Sequence, residues 1–232
     1  MDVEDVVFFG ELWIRRQALA AAFDAAMEYH LHQHRTDMEL LTAAFNAETA
    51  EKFYDGLQDE PPDTTGLQLA EDSLSASADI FAGAVILIFD DVLHRYASMV
   101  GITQRGIALS YGPVINGVHL TTLIAAGSNN FRHAREWAEL PRPYPTDQQA
   151  TERQRLQLAS IRPLMQALSL RDRINGYVTR HVLVKLAGNV GTGTPSYAVV
   201  EDLILDAAAE MARATGCLPG FTEARARLLF RP

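Results

Sequence analysis

Residues 73–100 constrain the fold of this chain more than any other segment. Ile80, Phe81, Val85, Ile86, Ile88, Phe89, Leu93 and Tyr96 recur there at helical spacing and make the segment apolar nearly all round, the pattern of a helix covered by neighbours on every side. Its most apolar run, residues 80–89, is about half the ~20 residues that a membrane span needs, so the segment predicts the centre of a helical core, with no membrane role.

Elsewhere apolar residues also recur at helical spacing, and alternating Val/Ile/Thr runs bounded by tight-turn dipeptides are scarce. The chain therefore reads as all-α, a helical bundle of about six to seven helices. The pattern predicts helices over about 11–34, 37–57, 73–100, 114–140, 147–168, 173–186 and 194–215. The last has Thr194 as N-cap, Pro195 at the first helical position and Gly216 as its stop. Pro61-Pro62-Asp63-Thr64-Thr65-Gly66 breaks the chain. It separates an acidic N-terminal helical pair, residues 1–66, from a bundle over residues 67–232, unless the two form one compact domain.

The net charge of −9 argues against a general nucleic-acid or membrane-surface binder, but the charge is unevenly spread. Residues 1–100 carry 5 basic and 19 acidic side chains, whereas residues 101–232 carry 15 and 10. The second half is thus able to meet an anion, and the acidic first half suits a basic surface on a protein partner. The single cysteine, Cys217, excludes an intrachain disulfide or a Cys-rich zinc site and fits a reducing compartment. With a start that lacks the basic region of a signal peptide, this leads us to expect a cytoplasmic protein.

The richest chemistry lies in Gly127-Ser128-Asn129-Asn130-Phe131-Arg132-His133-Ala134-Arg135-Glu136-Trp137. On a helix Asn129, His133, Glu136 and Trp137 share one face, flanked by Arg132 and Arg135. An imidazole beside an amide, with guanidinium groups nearby, meets the needs of phosphodiester cleavage: a proton exchanged near neutral pH and a cation for the developing phosphate charge. Asp90 and Asp91 interrupt the apolar helix, where carboxylates need partners, and His133, Arg132 and Arg135 are the nearest plausible donors. One aspartate is expected to support the site by bonding His133 across the bundle.

These residues resemble the signature of the HEPN family, all-α nucleotide-binding and ribonuclease domains of toxin–antitoxin and phage-defence systems. That signature is Arg-Asn-x-x-x-His near a helix start, after a long apolar helix of the same bundle. Asn129 and His133 match it at the right spacing, and Ser128 stands in place of the Arg. The resemblance covers the motif and the helical layout of about residues 67–186. It implies a metal-independent ribonuclease acting as a homodimer on RNA, with no cofactor. His133 would be the acid/base, Asn129 would orient the phosphate or the His, and Arg132 or Arg135 would stabilise the pentacoordinate phosphate. Glu136 would lend support. With Ser128 at the Arg position, either one of those arginines replaces the missing cation, or the bundle survives as a non-catalytic interaction or regulatory protein.

Other constellations are weaker. His30 and His34 lie one turn apart as metal ligands would, with His32 on another face, but no helix offers further ligands. A solvated helix C-terminus, where positive charge is favoured, accounts for all three. The Asp91/His94 and His133/Glu136 pairs resemble halves of a di-metal bundle without its remaining glutamates. Residues 188–194, Gly-Asn-Val-Gly-Thr-Gly-Thr, lack the Lys and the preceding strand of a phosphate loop. Most of the basic set from Arg153 to Lys185 reads as a solvated face.

Overall fold

The computed structural model describes residues 3–53, 65–141, 143–171, 174, 176–188 and 195–216. Among these it forms seven helices: α1 (Val3–Phe53), α2 (Thr65–Met99), α3 (Arg105–Ala108), α4 (Leu120–Ala138), α5 (Glu152–Ala167), α6 (Thr179–Gly188) and α7 (Tyr197–Ala214). The architecture is the expected all-α bundle. The Pro61-Pro62 break and the loop at 189–194 lie outside the described residues, as does Cys217.

The two N-terminal helices expected from the sequence are one continuous helix, α1. Nothing between His34 and Asp37 compels a break, since the segment holds neither Gly nor Pro. Thr36 satisfies its hydroxyl inside the helix by donating to the His32 carbonyl, 3.2 Å away. The His30/His32/His34 group therefore sits in mid-helix, and the helix-terminus explanation for it is overturned. Antiparallel packing of α1 on α2 is fixed along its length by the Arg95 to Glu11 bond at 2.9 Å, the stacked rings of Tyr29 and Phe81 and the Gln33 to Glu71 bond at 3.1 Å.

α2 is central, but only one side of it is sealed. Ala78, Ala82, Val85, Ile86, Phe89, Val92 and Tyr96 are buried, and they join Phe8, Leu19 and Phe23 of α1 and Val200 and Ile204 of α7 in one core. Ile80, expected at the centre, is 60% exposed. The segment's uniform apolarity conceals which flank its neighbours leave open.

The helix expected from residue 114 starts six residues later. A hairpin precedes it, β1 (Val114–Ile115) and β2 (Val118–His119), paired Ile115 to Val118. Its turn residues Asn116 and Gly117 have φ of 49° and 82°, the Asn-Gly chemistry of a tight two-residue hairpin. The later helices also start after their expected positions. α5 begins behind Thr151, whose side chain and that of Gln154 form a reciprocal capping box. α6 begins at Thr179 in place of residue 173, and α7 begins behind Ser196, so Pro195 is not at its first helical position, while Thr194 lies outside the described residues.

Glycine decides how closely α2 and α4 meet. A methyl group on Gly83 of α2 would overlap the Phe131 ring of α4, and one on Gly127 of α4 would lie 3.3 Å from the Ile86 methyl. Gly83→Ala is expected to destabilise the protein by roughly 1–3 kcal/mol through overpacking, read as a lower urea midpoint. Combining it with Phe131→Leu should restore part of the loss, because the obstructing ring is then gone.

Candidate active site on α4

α4 carries the sequence-predicted residues and distributes them over three environments. Ser128, at the position of the signature's Arg, is wholly buried, and its Oγ has no hydrogen-bond partner. Asn130, which sequence reasoning passed over, is equally buried. Its amide donates to the Gly176 carbonyl at 3.1 Å and accepts from the Val178 N–H at 2.8 Å, holding the entry to α6. Trp137 is also interior, at 2% exposure, and so leaves the face it was expected to share.

Asn129, His133 and Glu136 turn toward α5. Asn129 Nδ2 donates to Ser160 Oγ at 2.9 Å. His133, where α4 departs from helical geometry (φ −129°, ψ 15°), lies exposed with Nδ1 3.1 Å from Glu136 Oε1. Glu136 Oε2 accepts from Arg153 Nη2 of α5 at 2.8 Å. Arg153, and after it His133, hold the Glu136 carboxyl below the usual range. An ionised carboxylate only accepts hydrogen bonds, so His133 Nδ1 must be the donor and Nε2 of the neutral ring bears the free lone pair. A group oriented in this way can take up a proton.

Arg132 points to the opposite flank of α4. Its Nη1 lies 3.8 Å from Asp90 Oδ2, at the edge of a cleft of about 220 Å³ between α2, α4, α3 and α7. Asp90 thus lies beside Arg132 of the motif helix, and the expected bond from an aspartate to His133 is corrected: His133 pairs with Glu136. Asp91 faces α1, pairing with Arg95 of its own helix and with Arg15 at 3.7 Å. The Arg95 bond, opposed by burial and aided by charge, lowers its pKa. Arg135 is exposed. Among the described residues no three His, Cys, Asp or Glu side chains converge as metal ligands. No described helix is long and apolar enough to cross a membrane.

A second polar centre escaped the sequence reading. Asp79 of α2 and Arg180 of α6 are 8% and 11% exposed, with Arg180 Nε 3.9 Å from Asp79 Oδ1. Arg180 Nη1 donates to Gln33 of α1 and, at 2.8 Å, to Ser75 of α2. His30 meets His181 edge-on at 6.1 Å. Burial, countered by Arg180, pushes Asp79 up to about 6. Atoms packed round the imidazole, with Arg180 and His30 beside it, push His181 down to about 4, although part of that residue remains exposed. No motif announces this centre, because its members are far apart in sequence and each is ordinary alone.

Comparison of the chain with protein-family models, curated proteins and solved structures finds no match.

The raised Asp79 pKa makes a signed prediction. Between pH 3.8 and about 6 the native state holds a proton on Asp79 that the unfolded chain has lost, so the Asp79 contribution to stability rises as pH falls through that window. Wild type is therefore expected to gain about 1 kcal/mol relative to Asp79→Asn between pH 7.5 and 5. Parallel urea titrations of the two proteins at both pH values measure this, and an unchanged difference would refute it.

Proposed function

We propose that this chain is a HEPN-like ribonuclease, or an RNA- or nucleotide-binding derivative of one, serving bacterial defence or a toxin–antitoxin pair in the cytoplasm. The observation that carries the reading is the chain of contacts from Arg153 through Glu136 to His133. It sets an exposed imidazole in one tautomer, with Nε2 available, one helical turn from Asn129. In the proposed reaction His133 Nε2 accepts the proton of the attacking 2′-hydroxyl. That oxygen then attacks phosphorus, the bond to the 5′-oxygen breaks, and the proton held by His133 passes to the departing 5′-oxygen, leaving a 2′,3′-cyclic phosphate and a 5′-hydroxyl. Arg135 or Arg153 would supply the cation for the pentacoordinate phosphate, and Arg132 would do so only on leaving Asp90. The signature's own Arg position contributes none, since Ser128 faces the core.

Burial of Ser128 also favours a second reading, a non-catalytic interaction or regulatory protein built on the same bundle. RNA cleavage separates the two. His133→Ala is expected to lower cleavage by roughly 10²- to 10⁴-fold while leaving the helical circular dichroism unchanged, and cleavage by wild type should persist in a chelator. Chelator-sensitive cleavage would contradict the His and Arg chemistry. Absence of cleavage by wild type, with or without metal, would establish the non-catalytic reading.

We also propose a homodimer, in which a second copy of the His133 face brings further arginines to the phosphate across a two-fold axis. A mass measurement at micromolar concentration should return twice the 25.6 kDa of the chain, and monomer alone would exclude the arrangement. The acidic first half is left to contact a basic protein partner.

A further inference from the structure

The cleft beside Arg132 is lined mainly by apolar groups, including Leu93 of α2, Ile124 of α4, Leu109 and Met211 of α7, while Asp90 and Arg132 supply charge at its edge. Its volume of about 220 Å³ lies below the ~300 Å³ at which drug-sized pockets begin, a size suited to one flat heterocycle. Of the other polar groups of its lining, Asp91 and Thr121 are committed to protein partners, and the exposed His94 adds an imidazole beside Leu93. Asp91 is held by Arg95 and Arg15. The Thr121 hydroxyl accepts from the Tyr111 N–H at 3.1 Å and donates to the Tyr111 carbonyl at 3.0 Å.

Asp90 and Arg132 differ from these. At 3.8 Å they attract one another, but beyond the length of a hydrogen bond. The carboxylate retains two acceptor oxygens and the guanidinium retains donors. A ligand edge that satisfies both must present two adjacent donors and then an acceptor. The Watson–Crick edge of guanine does so, with N2–H and N1–H for the carboxylate and O6 for the guanidinium. Adenine would set its N1 acceptor against the carboxylate, uracil has a single N–H between two carbonyls, and cytosine has its amino group as the sole donor, beside the acceptors N3 and O2.

We propose that this cleft is a guanine-binding site in which Asp90 and Arg132 read the base edge and the aliphatic walls cover the ring faces. The proposal rests on the reading of the chain as an RNA- or nucleotide-acting protein and adds the base that it recognises.

Calorimetric titration of the full chain with GMP, IMP, AMP and CMP tests the assignment. GMP should bind tightest. IMP, which lacks the 2-amino group, should bind roughly tenfold weaker, and Asp90→Asn should weaken GMP by about tenfold or more. Arg132→Gln, at a half-exposed side chain, should also weaken GMP and serves if Asp90→Asn lowers the melting temperature. Equal affinity for GMP and IMP, indifference to base, no GMP binding, or unchanged GMP binding by folded variants would overturn the inference. Guanine binding without RNA cleavage would retain this site and remove the proposed reaction; cleavage without GMP binding would do the reverse.

Discussion

Close approach of α2 and α4 is the constraint on which the rest of the structure depends. Phe131 occupies the space that a side chain at residue 83 would need, and Gly127 allows Ile86 to pack against the α4 backbone. Interiors are packed to crystal-like density, so these two contacts set the spacing of the pair within tenths of an ångström. Phe131 in turn meets Tyr177, with ring centroids 5.7 Å apart, and Asn130 clamps the backbone at Gly176 and Val178. The placement of α6 thus follows from the seating of α4 on α2.

Seating α4 in this way sorts its polar side chains by depth. Residues 128 and 130 turn wholly inward, and there Asn130 satisfies its amide against backbone while Ser128 leaves its hydroxyl unpaired. Residues 129, 133 and 136 emerge beside α5, and residue 132 emerges beside α2. One short run of sequence therefore serves two surfaces. Asp90 and Arg153 lie on opposite sides of α4, and neither can exchange its partner for the other's without rotating the helix out of its Gly83 and Gly127 contacts.

Periodicity made the helical fold and the central place of α2 legible, because burial of a helix depends on the mean character of a face and tolerates errors at single positions. It failed at Ile80, where only the arrangement of neighbours decides exposure, and between His34 and Asp37, where charged residues suggested an end that no Gly or Pro enforces. The hairpin before α4 has its signal in Asn116-Gly117, which the helical spacing read from residue 114 onward masks. At the candidate site, the joint placement of Asn129, His133 and Glu136 followed from helical spacing. The Arg153 contact did not, since it depends on how α5 crosses α4. The joining of Asp79, Arg180, His30 and Gln33 across three helices has no local signature at all.

The proposed chemistry turns on how an acidic chain presents enough positive charge to phosphate. Residues 101–232 carry the basic excess, and three of their arginines, Arg132, Arg135 and Arg153, stand near the exposed end of α4. Surface charges beyond about 8 Å are largely screened at physiological ionic strength, so the acidic side chains of distant helices weigh little against these three at short range. Glu136 removes part of that charge locally, yet in doing so it fixes the His133 tautomer. Asp90 similarly draws Arg132 away from the His133 face and toward the cleft. A guanine seated there would share the Asp90 carboxylate through its N–H groups, which lessens the hold of Asp90 on the guanidinium. With Arg132 engaged by Asp90 at the cleft, the proposed reaction would draw the cation missing at Ser128 from Arg135 or Arg153.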